Sequence, residues 1–366
     1  AGGSILRSFL VFLALLFSFS SVYANDFVSN KDFNDAIKSG NVEFVRENIS
    51  KVENVNSDEC FLCTAIDKKQ NEILDILLEK CDPNAPETTL LPLYCALVVK
   101  NNYAVDKLLE AGADPNINKH ITPLLIYAIV DDNAHAVTKL LEAGADENVK
   151  FMKISAVQFA FMSDRTSCDV EDAFINFWNK KYKTPPTDIN KALDLLKNSK
   201  AGNKYYTKLM SANAKPFRIV YCELDKLSPD AGKLAYLNSY NRARKQSTIY
   251  INNEYRNVEP EIIATMLAGI SINTDGKISV VEELVSYGVM ANVWSEFLAN
   301  NPKLNDETQS LVKGYNGMLK ILELDAGNLK KGDYNNLWAL SGLLRGTQQT
   351  SKGFRDKDLN KYFEKI

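Results

Sequence analysis

One stretch of this chain recurs nearly unchanged. KLLEAGADPN, Lys107 to Asn116, reappears 32 residues on as KLLEAGADEN, Lys139 to Asn148. ILLEKCDPN, Ile76 to Asn84, is a slightly shortened version before both. VNSDECFLCTA, TLLPLYCALVV and HITPLLIYAIV each lie upstream of one copy. Self-similarity at so short a period constrains the fold strongly. One repeat cannot bury its own apolar face, so stacked neighbours must supply the core. The motif residues have separate jobs. Proline fits a first helical turn, where no N–H partner is required. The pairs Leu108–Leu109 and Leu140–Leu141 are placed to bury against the adjacent copy. Gly112 and Gly144 follow a helix and permit the left-handed backbone of a C-terminal cap.

These stretches resemble the ankyrin repeat, whose pattern runs T-P-L-H-x-A, a helix, a turn, a second helix ending L-L, then G-A-D-x-N. The resemblance covers about residues 30–183 and four to five repeats. DAIKSGNVEFVREN, Asp35 to Asn48, looks like a capping repeat with Gly40-Asn41 at its inter-helix turn. Leu91-Pro92-Leu93 and Thr122-Pro123-Leu124 sit at T-P-L, SAVQFA looks like a degenerate fifth start, and VEDAFINFWNKKY like a closing helix. One extra residue between Thr122 and Leu141 predicts a small bulge there. The resemblance implies a protein partner, bound by finger loops and first-helix surfaces. It points to Asn118, Lys119 and His120 in one finger and Pro86, Glu87 and Thr88 in another. The competing reading is that the array packs against the rest of the chain.

The same register accounts for three of the six cysteines. Cys60 and Cys63 fall at the T and H positions, and Cys95 falls one place after H. They read as small, largely buried packing residues, with a local disulfide as the alternative. Cys60-x-x-Cys63 has no second CxxC to complete a zinc site. His120 in a finger loop and His135 near an inter-helix turn read as surface or capping residues.

The N-terminus predicts export. Arg7 precedes the apolar run FLVFLALLFSF, and Val22 and Ala24 stand at small-residue cleavage positions, so cleavage is expected after Ala24. The alternative is an uncleaved anchor, but about 11 apolar residues fall short of the ~20 a span needs. The remainder is expected to have no stable membrane span and to be periplasmic or extracellular. A formal net charge of -3, without long runs of one sign, gives no support for a nucleic-acid partner.

KTPPTD, Lys183 to Asp188, breaks the helical pattern and is the expected domain boundary. TDINKALDLLKNSKAG then reads as a capped helix. FRIVYCEL and STIYIN read as strands. EPEIIATMLAGISI, SVVEELVSYGVMANVWSEFLANN, DETQSLVKGYNGMLKILELD and the tail read as helices, with Tyr334, Trp338 and Tyr362 spaced like core residues. Strand, helix, loop and second helix in this order resemble a group of bacterial zincin-like domains. Ser279, Glu282, Glu283, Val293 and Trp294 match the pattern of their second helix. Gly269 and Asn273 stand where the two histidines belong, and Ile270 replaces the catalytic glutamate. The resemblance therefore implies an inactivated copy. The residues alone lead to the same conclusion: no histidine follows His135, and zinc hydrolysis needs imidazoles one helical turn apart.

GISINTDGKISVVEE, Gly269 to Glu283, also counts as a calcium loop. From Ser271 as position 1, Asn273, Asp275, Lys277 by its carbonyl, Ser279 and Glu282 take the ligand positions, with Gly276 at the sharp turn. Only Asp275 and Glu282 bring charge, so binding would be weak, on the order of 10⁻⁴ to 10⁻³ M. A capped turn explains the same residues: Asp-Gly turns the chain, Ser279 is an N-cap, and Glu282 completes its capping box.

The chain is thus expected to be mostly α: a signal segment over 1–24, an ankyrin-repeat solenoid over 25–183, and a helix-rich α+β domain over 184–366. The expected function is non-enzymatic protein binding after export, with no catalytic residue and no cofactor beyond weak Ca2+. A calcium-regulated module is the alternative. A divergent hydrolase using Glu282 and Glu283 is the third.

Overall fold

The structure is a computed structural model. It describes residues 27–52, 54–56, 60–84, 90–117, 122–163, 165–212, 217–227, 235–241, 246–272 and 280–329, with backbone alone at 212, 238–241, 280–284 and 321–329. The described chain is mostly helical. It divides into two compact units, Ala1–Phe159 and Ala160–Ile366.

In the first unit, helices come in pairs. The first pair is α1 (Asn30–Ser39) with α2 (Val42–Asn48), followed by α3 (Phe61–Asp67) with α4 (Asn71–Leu78). Then come α5 (Pro92–Val98) with α6 (Asn102–Glu110), and α7 (Leu124–Val130) with α8 (Ala134–Glu142). Each odd-numbered helix also packs on the next odd one, and each even one on the next even one. Small residues make this possible: Ala65, Ala96 and Ala128 occupy equivalent, fully shielded positions in the odd row. Leu77, Leu108 and Leu140 do so in the even row. Each pair is too short and too apolar on one side to stand alone, so burial against the neighbour stabilises it.

Every pair turns in the same way. Gly40, Lys69, Lys100 and Asp132 have φ of 73°, 54°, 53° and 55°. The next residue then returns its N–H to the preceding helix: Asn41 to Ala36 O, Gln70 to Ala65 O, Asn101 to Ala96 O, Asn133 to Ala128 O, at 2.9–3.0 Å. This is the six-to-one bond of a left-handed C-cap. Asn41, Asn101 and Asn133 immediately start the second helix, each Oδ1 accepting the N–H three residues on at 3.1 Å. Gly112 and Gly144 end α6 and α8 at φ 88° and 90°, as their placement predicts.

The expected bulge between Thr122 and Leu141 does not form. The extra residue is absorbed where α7 begins, with Pro123 at the N-cap instead of the first helical turn, as Pro92 is in α5. A helix start accepts the shift because its N–H groups have no partners to lose. After α8, strands β1 (Lys150–Phe151) and β2 (Ile154–Ser155) form a hairpin that the sequence did not suggest. Its turn residues Met152 and Lys153 both take positive φ, 49° and 69°.

The second unit holds a three-stranded sheet in the order β3 (Phe217–Cys222), β5 (Gln246–Asn252), β4 (Tyr236–Asn241). β3 runs parallel and β4 antiparallel to β5. The segment 160–183, expected from sequence to end the repeat array, sits in this unit. Its helix α10 (Cys168–Asn179) follows α9 (Ala156–Met162) and packs on β3. Phe161 stacks on Trp178 and meets Tyr250 edge-on, and buried Glu171 pairs with Arg218 at 3.5 Å. KTPPTD is extended, as two prolines require, but it lies within this unit.

The centre of the unit is α14 (Pro260–Ile270), with every residue from Ile262 to Ile270 buried. A helix apolar on all sides must be surrounded, and three partners surround it: α11 (Ile189–Asn198), α12 (Asn203–Ala212) and α15 (Val280–Asn300). The last described helix, α16 (Ser310–Leu329), packs on α15. There Trp294 Nε1 donates to Asn316 Oδ1 at 2.9 Å. Between β3 and β4 runs α13 (Leu224–Leu227).

Candidate functional site

The residues singled out from sequence for binding fall where the structure has no description. Pro86, Glu87, Thr88, Asn118, Lys119, His120, Asn273, Asp275, Lys277 and Ser279 lie outside the described residues, as do segment 1–24 and Tyr334, Trp338 and Tyr362. Glu282 lies in α15, where the backbone alone is described. What the structure does place is the described residues on either side of them.

In the first unit the described residues form a ladder of asparagines. Asn84 Oδ1 accepts from Asp114 N–H at 2.8 Å, and its Nδ2 donates to Gly112 O at 2.8 Å. One copy later Asn116 repeats both bonds, to Asp146 N–H at 2.8 Å and Gly144 O at 2.9 Å. Asp82, Asp114 and Asp146 each accept the N–H two residues on, at 2.8–2.9 Å. The D-x-N step is therefore a lock between successive copies. The pattern was visible in the sequence, but its partners lie 28–30 residues away. His135, expected at the surface or as a cap, bridges copies too, with Nε2 2.8 Å from Asp106 Oδ1.

The odd-helix row presents a partly open strip. Tyr94 and Tyr127 meet edge-on with centroids 5.3 Å apart. Val98 and Val130, at the ends of α5 and α7, are 46% and 51% exposed. In the same helix row the register brings Cys60, Cys63 and Cys95 together: Cys63 Sγ lies 2.8 Å from Cys60 Sγ and 2.7 Å from Cys95 Sγ. Cys60 and Cys63 are buried as expected, whereas Cys95 is half-buried.

In the second unit, polar groups converge at the ends of the parallel strands β3 and β5. Glu223 follows β3 directly. Its Oε1 receives Lys181 Nζ at 2.6 Å, Tyr182 Oη at 2.7 Å and Asn253 Nδ2 at 3.2 Å. The guanidinium of buried Arg256 lies 4.0 Å from the Tyr182 ring centre and donates to Asn179 Oδ1 at 2.8 Å. Burial raises the Glu223 pKa, but the bonds from Lys181 and Tyr182 outweigh it and hold the carboxyl below its ordinary range. Thr187 N–H donates to Arg256 O, tying the extended 183–188 segment to the same place. The carboxyl end of parallel strands is where open α/β sheets hold ligands; here Glu223 is satisfied by Lys181, Tyr182 and Asn253, while the buried Nε of Arg256 has no hydrogen-bond partner among the described residues. The cluster joins α10 and the segment after it to the sheet.

Gly269, which stands where the zincin resemblance puts the first histidine, opens on no free space. A Cβ on Gly269 would stand 2.7 Å from Met290 Cγ and 2.8 Å from Ser286 Oγ. α14 and α15 thus pack backbone to side chain where a metal-binding helix would need space. Ser271, the first position of the calcium count, is fully buried and donates its hydroxyl to Ala268 O at 2.6 Å. Among the described residues no group of three or more His, Cys, Asp or Glu could hold a metal ion, and no helix is long and apolar enough to cross a membrane. Comparison with protein-family models and with curated proteins finds no match for this chain.

Proposed function

We propose that the chain is an exported, non-enzymatic protein-binding protein whose first unit is an ankyrin-type solenoid. The observation that supports it most is the combination of two helix rows with an asparagine ladder at their loop ends. Such a frame holds successive loops at a fixed spacing, and repeat arrays use such spacing to grip an extended partner surface. The exposed Val98 and Val130 beside the Tyr94–Tyr127 pair add an aromatic and aliphatic strip of the composition that interface centres favour. The partner would meet this strip together with the loops holding Pro86 to Thr88 and Asn118 to His120. In this reading the second unit carries no catalysis.

The test is capture with the full chain from the exported fraction of cells that produce it, followed by titration of each captured protein. Replacing Tyr94 and Tyr127 together by alanine should weaken a true partner at least tenfold, while Met210→Ser in the second unit should leave it unchanged. A partner insensitive to the tyrosines and to changes in both loops would end the proposal.

The spacing of Asn273, Asp275, Lys277, Ser279 and Glu282 supports a second reading, in which weak calcium binding orders the second unit. Calorimetric titration of calcium into the full chain decides it. One-to-one heat that Glu282→Gln abolishes supports the site, and heat that survives the substitution, or none at millimolar calcium, removes it.

A further inference from the structure

The three-cysteine cluster has chemistry that packing alone does not require. Cys60 is the N-cap of α3, and its Sγ accepts the N–H of Cys63 at 3.3 Å. Cys63, one turn in, is buried and faces two sulfurs at once, Cys60 at 2.8 Å and Cys95 at 2.7 Å. Cys95 belongs to the next helix pair, 32 residues away, and is the most open of the three. Thiolates around one metal ion stand apart by about 3.8 Å, given ~2.3 Å metal–sulfur bonds in a tetrahedron. These sulfurs are closer than that, with Cys63 in contact with both of the others. The arrangement suits sulfur–sulfur bond formation, for which side chains need ~2.05 Å.

We propose that Cys63 is a shared disulfide partner, oxidised by a low-molecular-weight disulfide onto Cys95 and exchangeable onto Cys60. In the first step the Cys95 thiolate attacks the reagent RSSR, giving Cys95–S–S–R and one RS⁻. Cys63 passes its proton to that RS⁻ and attacks Cys95 Sγ, and the second RS⁻ leaves with the proton lost by Cys95. The net change is two protein thiols and one RSSR to one protein disulfide and two RSH, with two electrons passed to the reagent. In the exchange the Cys60 sulfur attacks Cys63 Sγ, and Cys95 departs as the thiolate and takes the proton that Cys60 gave up. No electrons are gained or lost. In the reduced cluster the Cys63 thiol, with the N–H groups of Cys63 and Leu62, lowers the Cys60 pKa against burial; once Cys63 is oxidised the N–H bonds, that of Cys63 at 3.3 Å, are what stabilise the attacking thiolate. Burial pushes the Cys81 thiol up to about 12 and Cys222 well above the ordinary range. The bonds Cys63 makes to Cys60 and Cys95, with burial, raise its pKa as well, so Cys63 attacks only as RS⁻ takes its proton.

The two bonds differ in consequence. Cys63–Cys95 ties the second helix pair to the third and closes a long loop. Cys60–Cys63 closes one helical turn and constrains little. The cluster would therefore set how firmly adjacent pairs are joined, according to the redox poise around the chain.

The experiment equilibrates the full chain with oxidised glutathione, blocks remaining thiols with a maleimide, and maps disulfides by digestion and mass spectrometry. The expected wild-type result is loss of two of six thiols, with Cys63 in every cross-linked peptide. Cys60→Ser should retain Cys63–Cys95, Cys95→Ser should retain Cys60–Cys63, and Cys63→Ser should form neither. Oxidation should raise the melting temperature of Cys60→Ser by more than that of Cys95→Ser. Retention of all six thiols by the wild-type chain would overturn the proposal, as would a dominant cross-link that lacks Cys63. The wild-type map needs no variant, so a variant that fails to fold cannot rescue the idea.

Discussion

Asn116 shows how one side chain can carry the order of a stack. Its amide makes one bond to the Asp146 N–H and another to the Gly144 carbonyl. Asn116→Ala removes both at a site that water can reach, so a loss of about 1–2 kcal/mol is expected at ~0.5–1.5 kcal/mol per bond, read from urea unfolding of the first unit. Asn84→Ala should behave alike. Gly269 has the opposite character, since its lack of a side chain is what matters. Gly269→Ala pushes Met290 out of a packed position and should cost about 1–3 kcal/mol, with Met290→Ala in the same chain recovering part of the loss. Glu223 adds a pH signature. Its folded pKa lies below its ordinary value. The stability it contributes is therefore present above the unfolded carboxylate pKa and is lost as pH falls through the folded one. Acid titration should destabilise the wild-type second unit over that window more than Glu223→Gln, which has no proton to gain there.

Elements repeat here because the same backbone problem recurs. Each inter-helix turn needs one left-handed residue, and Gly40 meets the need without a side chain while Lys69 and Lys100 do not. A left-handed non-glycine residue costs about 1–2 kcal/mol, of which ~0.5–1 returns as glycine's extra unfolded freedom. Lys69→Gly should therefore stabilise the first unit by up to about 1 kcal/mol, seen as a raised urea midpoint at unchanged slope. Lys100 is a poorer choice, since its Nζ also bonds Asp131 at 3.0 Å. The elements themselves were largely legible. Helices α3 to α8 follow from the repeated leucines and glycines, β3 and β5 from their aromatic and β-branched runs, and α14 from its uninterrupted apolar stretch after Pro260. β4 was not, because YLNSYN is polar enough to pass for loop. It becomes a strand by pairing along its whole length with β5, through a register running from Tyr236–Ile251 to Asn241–Gln246.

At the scale of the whole molecule, all three tryptophans, Trp178, Trp294 and Trp338, follow residue 159. Tryptophan fluorescence thus reports the second unit alone, while circular dichroism sums both. If the units unfold separately, the two melts will not coincide, and Asn116→Ala will move only the component missing from fluorescence. Coincident melts that shift together would show a single cooperative molecule. The period, the helix pairs and the need for stacking were decided by sequence alone, because apolar spacing and capping residues act within a few residues of one another. The tertiary structure decided what those signals cannot reach. An amphipathic helix shows that it has a face to bury, not against what, so α10 read as the end of the array until Trp178, Glu171 and Arg218 placed it on the sheet. The asparagine ladder and the thiol cluster arise the same way. Their cross-copy partners lie 28–32 residues apart and meet only once the pairs have stacked.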